Sequence, residues 1–204
     1  MFITFEGPEG CGKSTQIEKL QQWYQTQGVA ACAVREPGGT YAGEKIRSIL
    51  KDSAAGLTAL SELYLFLAAR AQICESVIAP ALANEQVVIC DRFIDSTVVY
   101  QGGMRNLGRE FCKEQNNVVT KGLVPDVTFM LMVPLETIKQ RVIARGHGDR
   151  FDMMGLTAHQ HIIDEYWRLA KEYPERIITL DGTKPRDELH QEILSQIHAR
   201  QSAK

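Results

Sequence analysis

Short apolar runs alternate with longer amphipathic ones along the 204 residues of the chain. Residues 1–6, rich in Phe and Ile, predict a strand. Residues 13–27 place Ile17, Leu20 and Tyr24 at helical spacing, and Gly28 is a good stop. A second strand is expected over 29–34 and a short helix over 42–51. Residues 58–82 predict a long helix with Leu60, Leu63, Tyr64, Leu67, Ala71, Cys74 and Ile78 on one stripe. The β-branched run at 87–90 has no alternation, as expected of a strand buried on both faces. A helix begins near Asp95 and another spans 109–120. Pro125 introduces a strand over 126–133, and Pro134 suits the first turn of a helix over 135–144. After a glycine-bearing polar break at 146–150, a helix is expected over 157–173, a strand over 176–180 and a helix over 186–200. This order predicts an α/β fold of one domain: a five-stranded parallel sheet flanked by helices in three layers. Its ligands should gather at the carboxyl ends of the strands.

Composition narrows the class. With 23 basic and 25 acidic residues the formal charge is −2, and 44% of positions are hydrophobic. Such a chain can bury a core, and its near-neutral surface gives no support to a nucleic-acid or membrane partner. The start has no basic and apolar leader, and no apolar run is expected to approach the roughly 18 residues that cross a bilayer. Cys11, Cys32, Cys74, Cys90 and Cys112 are odd in number and lack metal-ligand or redox spacing, which fits a reducing cytoplasm. Cys32 and Cys90 are expected as small buried hydrophobes. His159 and His161, two apart on a helix, share no face, so they are expected to form no metal site and to be surface or half-buried residues.

Gly7-Pro8-Glu9-Gly10-Cys11-Gly12-Lys13-Ser14 matches G-x-x-x-x-G-K-[ST], follows a predicted strand and opens a predicted helix. In that context the glycines let backbone N–H groups turn around phosphates, at a helix N-terminus that favours anions. Lys13 is expected at the β- and γ-phosphates, and Thr15 continues the ATP-binding set begun at Gly7. Ser14 offers a hydroxyl to Mg²⁺, with Asp91, which closes the apolar strand at 87–90, as the second metal-side residue. Glu9 is a poor neighbour for a triphosphate, so it is expected to face a second substrate's sugar hydroxyl. No Asn-Lys-x-Asp run marks a guanine-nucleotide switch.

After the second strand comes Arg35-Glu36-Pro37-Gly38-Gly39-Thr40, which closely resembles the signature loop of thymidylate kinases. Leu65-Phe66-Leu67-Ala68-Ala69-Arg70-Ala71-Gln72, the segment from Asp91 through Gly102, and Ala144 through Asp152 resemble that family in the same order. The resemblance implies a P-loop NTPase fold that moves the γ-phosphoryl group of ATP to dTMP with Mg²⁺, in a homodimer. It further implies Phe66 stacked on thymine, Arg70 donating to the thymine O4, and Thr97 beside N3. Tyr100 would lie under the deoxyribose and Glu9 at the 3′-hydroxyl. Arg92 and Arg47 would hold the acceptor phosphate, with Glu36, Ser96 and Gln101 completing the acceptor pocket. A lid is implied at about residues 145–152. None of Pro8, Glu9, Gly10 and Cys11 is basic, so transition-state charge is assigned to Arg150, with Arg141 and Arg145 on the ATP side. The family often has Arg-Ile-Glu where this chain has Arg150-Phe151-Asp152. Two rivals remain open on the residues alone: a kinase for another nucleoside or monophosphate, and a regulatory P-loop ATPase.

Overall fold

The computed structural model describes residues 1–145 and 155–202. Five strands form the sheet: β1 (Phe2–Glu6), β2 (Ala31–Arg35), β3 (Val87–Asp91), β4 (Val127–Met132) and β5 (Ile177–Asp181). Their spatial order is β2-β3-β1-β4-β5, and every pairing is parallel. All carboxyl ends therefore share one edge. The chain leaves β1 towards a crevice where the strand order changes direction, the usual ligand position in such sheets.

The central strands explain their own sequences. β1 and β4 are buried at every position, so neither shows the polar alternation of a half-exposed strand. The alternation reappears in which core each side chain joins. Ile3, Phe5, Val87 and Ile89 face a large core with Leu20, Tyr24, Ile193 and Ile197. Phe2, Val88 and Cys90 face a smaller one with Ile73, Ile78 and Phe93. Helices α1 (Lys13–Thr26) and α9 (Arg186–Ser202) cover the first side. Helix α3 (Ala59–Ile73) covers the second, and α2 (Tyr41–Lys51) packs on α3. Leu20 is wholly buried, and truncating such a leucine to alanine costs about 2–5 kcal/mol.

Four expectations need correcting. The long apolar stripe does not run straight. After α3, Cys74–Ile78 forms one wider π turn before α4 (Ala79–Ala83), and the extra residue shifts the helical phase. Leu63, Leu67, Cys74 and Ile78 are buried, whereas Leu60 is 45% and Tyr64 50% exposed. The stretch Ala59–Ala83 is also a 25-residue helix with a window of mean hydropathy 1.4, long and apolar enough to cross a membrane by length and composition. The apolar-run argument missed it because Glu62, Arg70 and Glu75 interrupt the run. Two of those charges, Glu62 and Arg70, are buried and paired inside the domain, as befits a core helix. Finally, His159 is buried in α8 (Leu156–Glu172) instead of being exposed or half-buried, and Cys32 is half-buried while Cys90 is fully so. The remaining helices are α5 (Ile94–Thr97), which runs into a π-wound stretch at Val98–Met104, α6 (Arg109–Thr120) and α7 (Leu135–Arg145).

Candidate active site

The loop after β1 is shaped by glycine. Gly7, Gly10 and Gly12 all have positive φ, and a Cβ on Gly7 would lie 2.3 Å from the Leu131 carbonyl oxygen. Gly12 is the cap of α1 and offers no side chain, and the first turn holds no acid. The leading N–H groups of α1 are thus left to a ligand, with the positive end of the helix dipole behind them. Lys13 Nζ donates to the carbonyls of Gly7 (3.2 Å) and Pro8 (3.1 Å), and lies 3.4 Å from Cys11 Sγ. Cys11 itself belongs to the core. Thr15, the third residue of the helix, is half-buried.

Ser14 Oγ donates to Asp91 Oδ2 at 3.4 Å, and Asp91 Oδ1 is buried with no hydrogen-bond partner. A hydroxyl beside a carboxylate with an unused oxygen fits Mg²⁺, which takes few protein ligands and completes its shell with phosphate and water oxygens. No cluster of three or more His, Cys, Asp or Glu side chains suited to a metal occurs among the described residues.

Arg92 follows β3 in a left-handed conformation (φ 66°), unusual for a side chain of this size. Its Nη1 donates to Gly7 O (3.0 Å), Ser96 Oγ (3.2 Å) and Tyr166 Oη (3.0 Å), and its Nη2 to Glu9 Oε1 (2.5 Å). Burial opposes its charge, but Glu9, Tyr100, Tyr166 and Asp91 hold its pKa well above the usual value. Beneath it, Glu6 accepts from Phe93 N (2.8 Å), Ser96 N (3.1 Å), Ser96 Oγ (2.6 Å) and Tyr166 Oη (3.0 Å). Burial and then Asp95 push the Glu6 carboxyl upward, against the pull of Arg92. Glu6 and Tyr166 were missed as site residues. The one available signal was a carboxylate closing an otherwise apolar strand directly before the glycine loop.

Arg70, on α3, is buried to 1% exposure. Its Nε donates to Glu36 Oε2 (2.6 Å), Nη1 to Thr97 Oγ1 (2.7 Å) and Asn116 Oδ1 (2.6 Å), and Nη2 to Phe93 O (2.9 Å). Glu36 leaves Oε1 without a partner, and burial pushes its pKa up to about 7 despite Arg70. Gln101 Nε2 donates to the buried Glu62 Oε1 at 2.8 Å.

Many of these groups line one cavity of about 270 Å³, with Glu6, Tyr166, Glu62, Phe93 and Asn116 outside its lining. Its lining includes Glu9, Gly10, Gly12, Lys13, Ser14, Asp91 and Arg92 around the start of α1 and the end of β3, and Glu36, Arg47, Phe66, Arg70, Ser96, Thr97, Tyr100 and Gln101 from the loop after β2, α2, α3 and the segment after β3. Leu50 and Lys51, at the end of α2, join the lining without having been singled out. Arg47 Nη1 donates to Pro37 O (2.8 Å), and Arg35 reaches Glu44 Oε1 (2.9 Å), which also accepts from Gly39 N. Ser96 turns its hydroxyl towards Glu6. Gly7, Pro8, Cys11 and Thr15 stand behind the lining. Arg141 clamps from α7, donating to Gly10 O (3.0 Å) and Gly182 O (3.1 Å). Arg150 and Asp152 lie outside the described residues, as does most of the expected lid; Arg145 is placed by its backbone as the last residue of α7.

With the uncapped start of α1, Lys13 and Arg92 in one cavity with Phe66, Arg70 and Tyr100, the chain has a P-loop nucleotide-binding fold of the α/β class. Comparison with known proteins agrees. The thymidylate kinase family model matches residues 5–193. The chain is 44% identical over 199 residues to the thymidylate kinase of Fervidobacterium nodosum, covering 98% of this chain and 99% of that one. It is 38% identical over 200 residues to that of Deinococcus radiodurans, covering 98% and 97%. The crystal structure of thymidylate kinase from Ehrlichia chaffeensis superposes with a TM-score of 0.79 at 31% identity, covering 97% and 98%. The chain belongs to the thymidylate kinase family.

Proposed function

We propose that this protein is a dTMP kinase that transfers the γ-phosphoryl group of ATP to dTMP, giving dTDP and ADP for dTTP synthesis. One observation carries the reading: the uncapped start of α1 and the Arg92 guanidinium open into the same cavity as Phe66, Arg70 and Tyr100. A single domain, with a lid at about residues 145–152, would then bring donor and acceptor together.

Near neutral pH a phosphate monoester is largely dianionic and needs little activation as a nucleophile. No general base is nominated. The chain's task is positioning and charge stabilisation. The loop amides and Lys13 hold the donor phosphates, and Arg92 with Arg47 holds the acceptor phosphate through forked donors. Arg150 is assigned to the moving phosphoryl group, with Arg141 and Arg145 supporting the ATP side. Mg²⁺, held by Ser14 and Asp91, would supply charge neutralisation across the phosphate oxygens when bound. Phe66 and Tyr100 stack on and under the nucleoside, Arg70 and Thr97 read the base edge, and Glu9 meets the 3′-hydroxyl. Glu36, Ser96 and Gln101 support that wall.

A coupled assay of ADP release across dTMP, dUMP, dCMP and thymidine tests the reading. Preference for dTMP is expected. Preference for thymidine would favour a nucleoside kinase, and slow hydrolysis independent of acceptor a regulatory ATPase. We also propose a cytoplasmic homodimer without nucleic-acid or membrane partners. The exposed apolar Leu60 and Tyr64 on α3, and Val118 on the adjoining α6, support self-association, as the five free cysteines support a reducing compartment. A monomeric mass by light scattering would remove the dimer.

A further inference from the structure

Arg70 has five N–H groups, and protein acceptors face all of them. Nε–H and one Nη2–H converge on Glu36 Oε2, each nitrogen 2.6 Å away; the other Nη2–H meets Phe93 O. The two on Nη1 go to Thr97 and Asn116. Three of these acceptors sit in the signature loop or the segment after β3. Asn116 does not. It comes from α6, does not line the substrate cavity, and is 3% exposed. Its carboxamide is used in both directions: Oδ1 accepts from Arg70 at 2.6 Å, and Nδ2 donates to Ile94 O at 3.0 Å. The amide can be oriented only one way, because a flipped NH₂ would confront a guanidinium N–H. Asn116 thus fixes the Arg70 fork in its plane and holds the first residue of α5, three residues before Thr97. A buried, fully satisfied network of this kind specifies one geometry, whereas removal of a member leaves a donor without an acceptor.

We propose that Asn116 is a positioning residue for base discrimination, acting through Arg70 and the start of α5 without touching substrate. This rests on the proposed reading of the cavity as a dTMP site with Arg70 at the base edge. A carbonyl at the 4-position can accept only by sharing an N–H that already meets a protein acceptor, so the contact depends on where Asn116 holds that nitrogen, and an amine there offers no acceptor to share it. A guanidinium released on one side can tilt and discriminates less.

The test is steady-state kinetics of the full-length enzyme with dTMP and 5-methyl-dCMP, which differ at that position, in four variants. For Asn116→Leu, KM for dTMP should rise about tenfold or more, with KM for ATP and kcat within about twofold. The preference for dTMP over 5-methyl-dCMP should fall about tenfold. Asn116→Asp keeps an oxygen on Arg70 and removes the donor to Ile94, so most of the discrimination should survive. Should Asn116→Leu not fold, as judged by circular dichroism, Asn116→Ser takes its place. Unchanged KM and unchanged preference in the folded variant would overturn the proposal. So would a loss spread evenly over kcat and both KM values, or an Asn116→Asp loss equal to that of Asn116→Leu. Arg70→Ala separates the two levels. If it leaves KM for dTMP and the preference intact, the reading of the cavity fails and the proposal with it. If it abolishes discrimination while Asn116→Leu does not, the assignment of Asn116 alone fails.

Discussion

Two helices begin at the same edge of the sheet after glycine-bearing loops, and they begin differently. Helix α2 is closed by its own chain: Thr40 Oγ1 accepts from Gly43 N at 2.9 Å, and Glu44 lies in the first turn against the dipole. Helix α1 has a glycine cap, no side-chain acceptor and no acid in its first turn. One N-terminus is finished by folding; the other would be finished by phosphate in the proposed function. The same contrast separates the cavity's walls. Beside the uncapped start of α1 Asp91 keeps an unmet oxygen, while around Arg70 every guanidinium N–H faces a protein acceptor and only Glu36 Oε1 is left unmet. Groups that bind highly charged phosphate can remain in water's reach, but those that read a neutral base edge must be held still.

Breaking the open end should have the largest effect. Lys13→Ala removes its charge from the donor phosphates, and turnover should drop about 10³-fold or more; near-normal kcat would detach Lys13 from transfer. Arg150→Ala is expected to behave similarly, and a near-normal rate with dTMP would withdraw that assignment.

The closed wall has a pH signature. Glu36 titrates near about 7 in the folded chain, against an ordinary value of 4.5, because burial disfavours its charge. Across that interval the folded state binds the extra proton, so this group's contribution falls as pH rises from about 4.5 to about 7. The limit is about 3 kcal/mol. Urea unfolding at pH 5 and pH 7.5 should show Glu36→Gln gaining on the parent protein at the higher pH. A constant gap would mean that Glu36 is charged throughout.

Closing the open end should separate stability from activity. Thr15→Glu adds an acid to the first turn of α1, which should stabilise the helix by about 0.3–1 kcal/mol while repelling phosphate. KM for ATP should rise about tenfold, a change worth about 1.4 kcal/mol, with an unchanged or slightly higher melting temperature. A lower melting temperature would show that α1 is not the open end described. The smallest effect is expected from opening the closed end: Thr40→Ala should cost about 1 kcal/mol of stability and leave KM for ATP alone, as thermal unfolding and kinetics would report.

Much of this architecture was legible because it depends on local pattern. Five short apolar runs, separated by amphipathic ones, allowed the sheet to be drawn, and the spacing from Gly7 to Ser14 marked the glycine loop that precedes the uncapped α1. Family resemblance then marked Phe66, Arg70, Arg92 and Tyr100, and the fold does bring them to one cavity. What escaped were contacts between distant positions. Glu6 meets Tyr166 across 160 residues, and Arg70 meets Asn116 across 46; neither pairing leaves a local trace. The π turn at Cys74–Ile78 was invisible for another reason, since one added residue alters phase without altering composition. His159 was misplaced because its burial depends on what α8 packs against, and not on its own spacing.

Lys13 donates to the carbonyls of its own loop, Gly7 and Pro8. The loop therefore keeps its curvature through internal bonds, and the entropy of ordering it is lost once, during folding, and not again at each encounter with nucleotide. On the proposed role of Lys13, nucleotide binding would be an exchange of oxygens around one ammonium group: two carbonyls for phosphates. Affinity for the donor is accordingly a difference between two sets of contacts, and a substitution that loosened the loop's hold on Lys13 would strengthen nucleotide binding while weakening the loop itself.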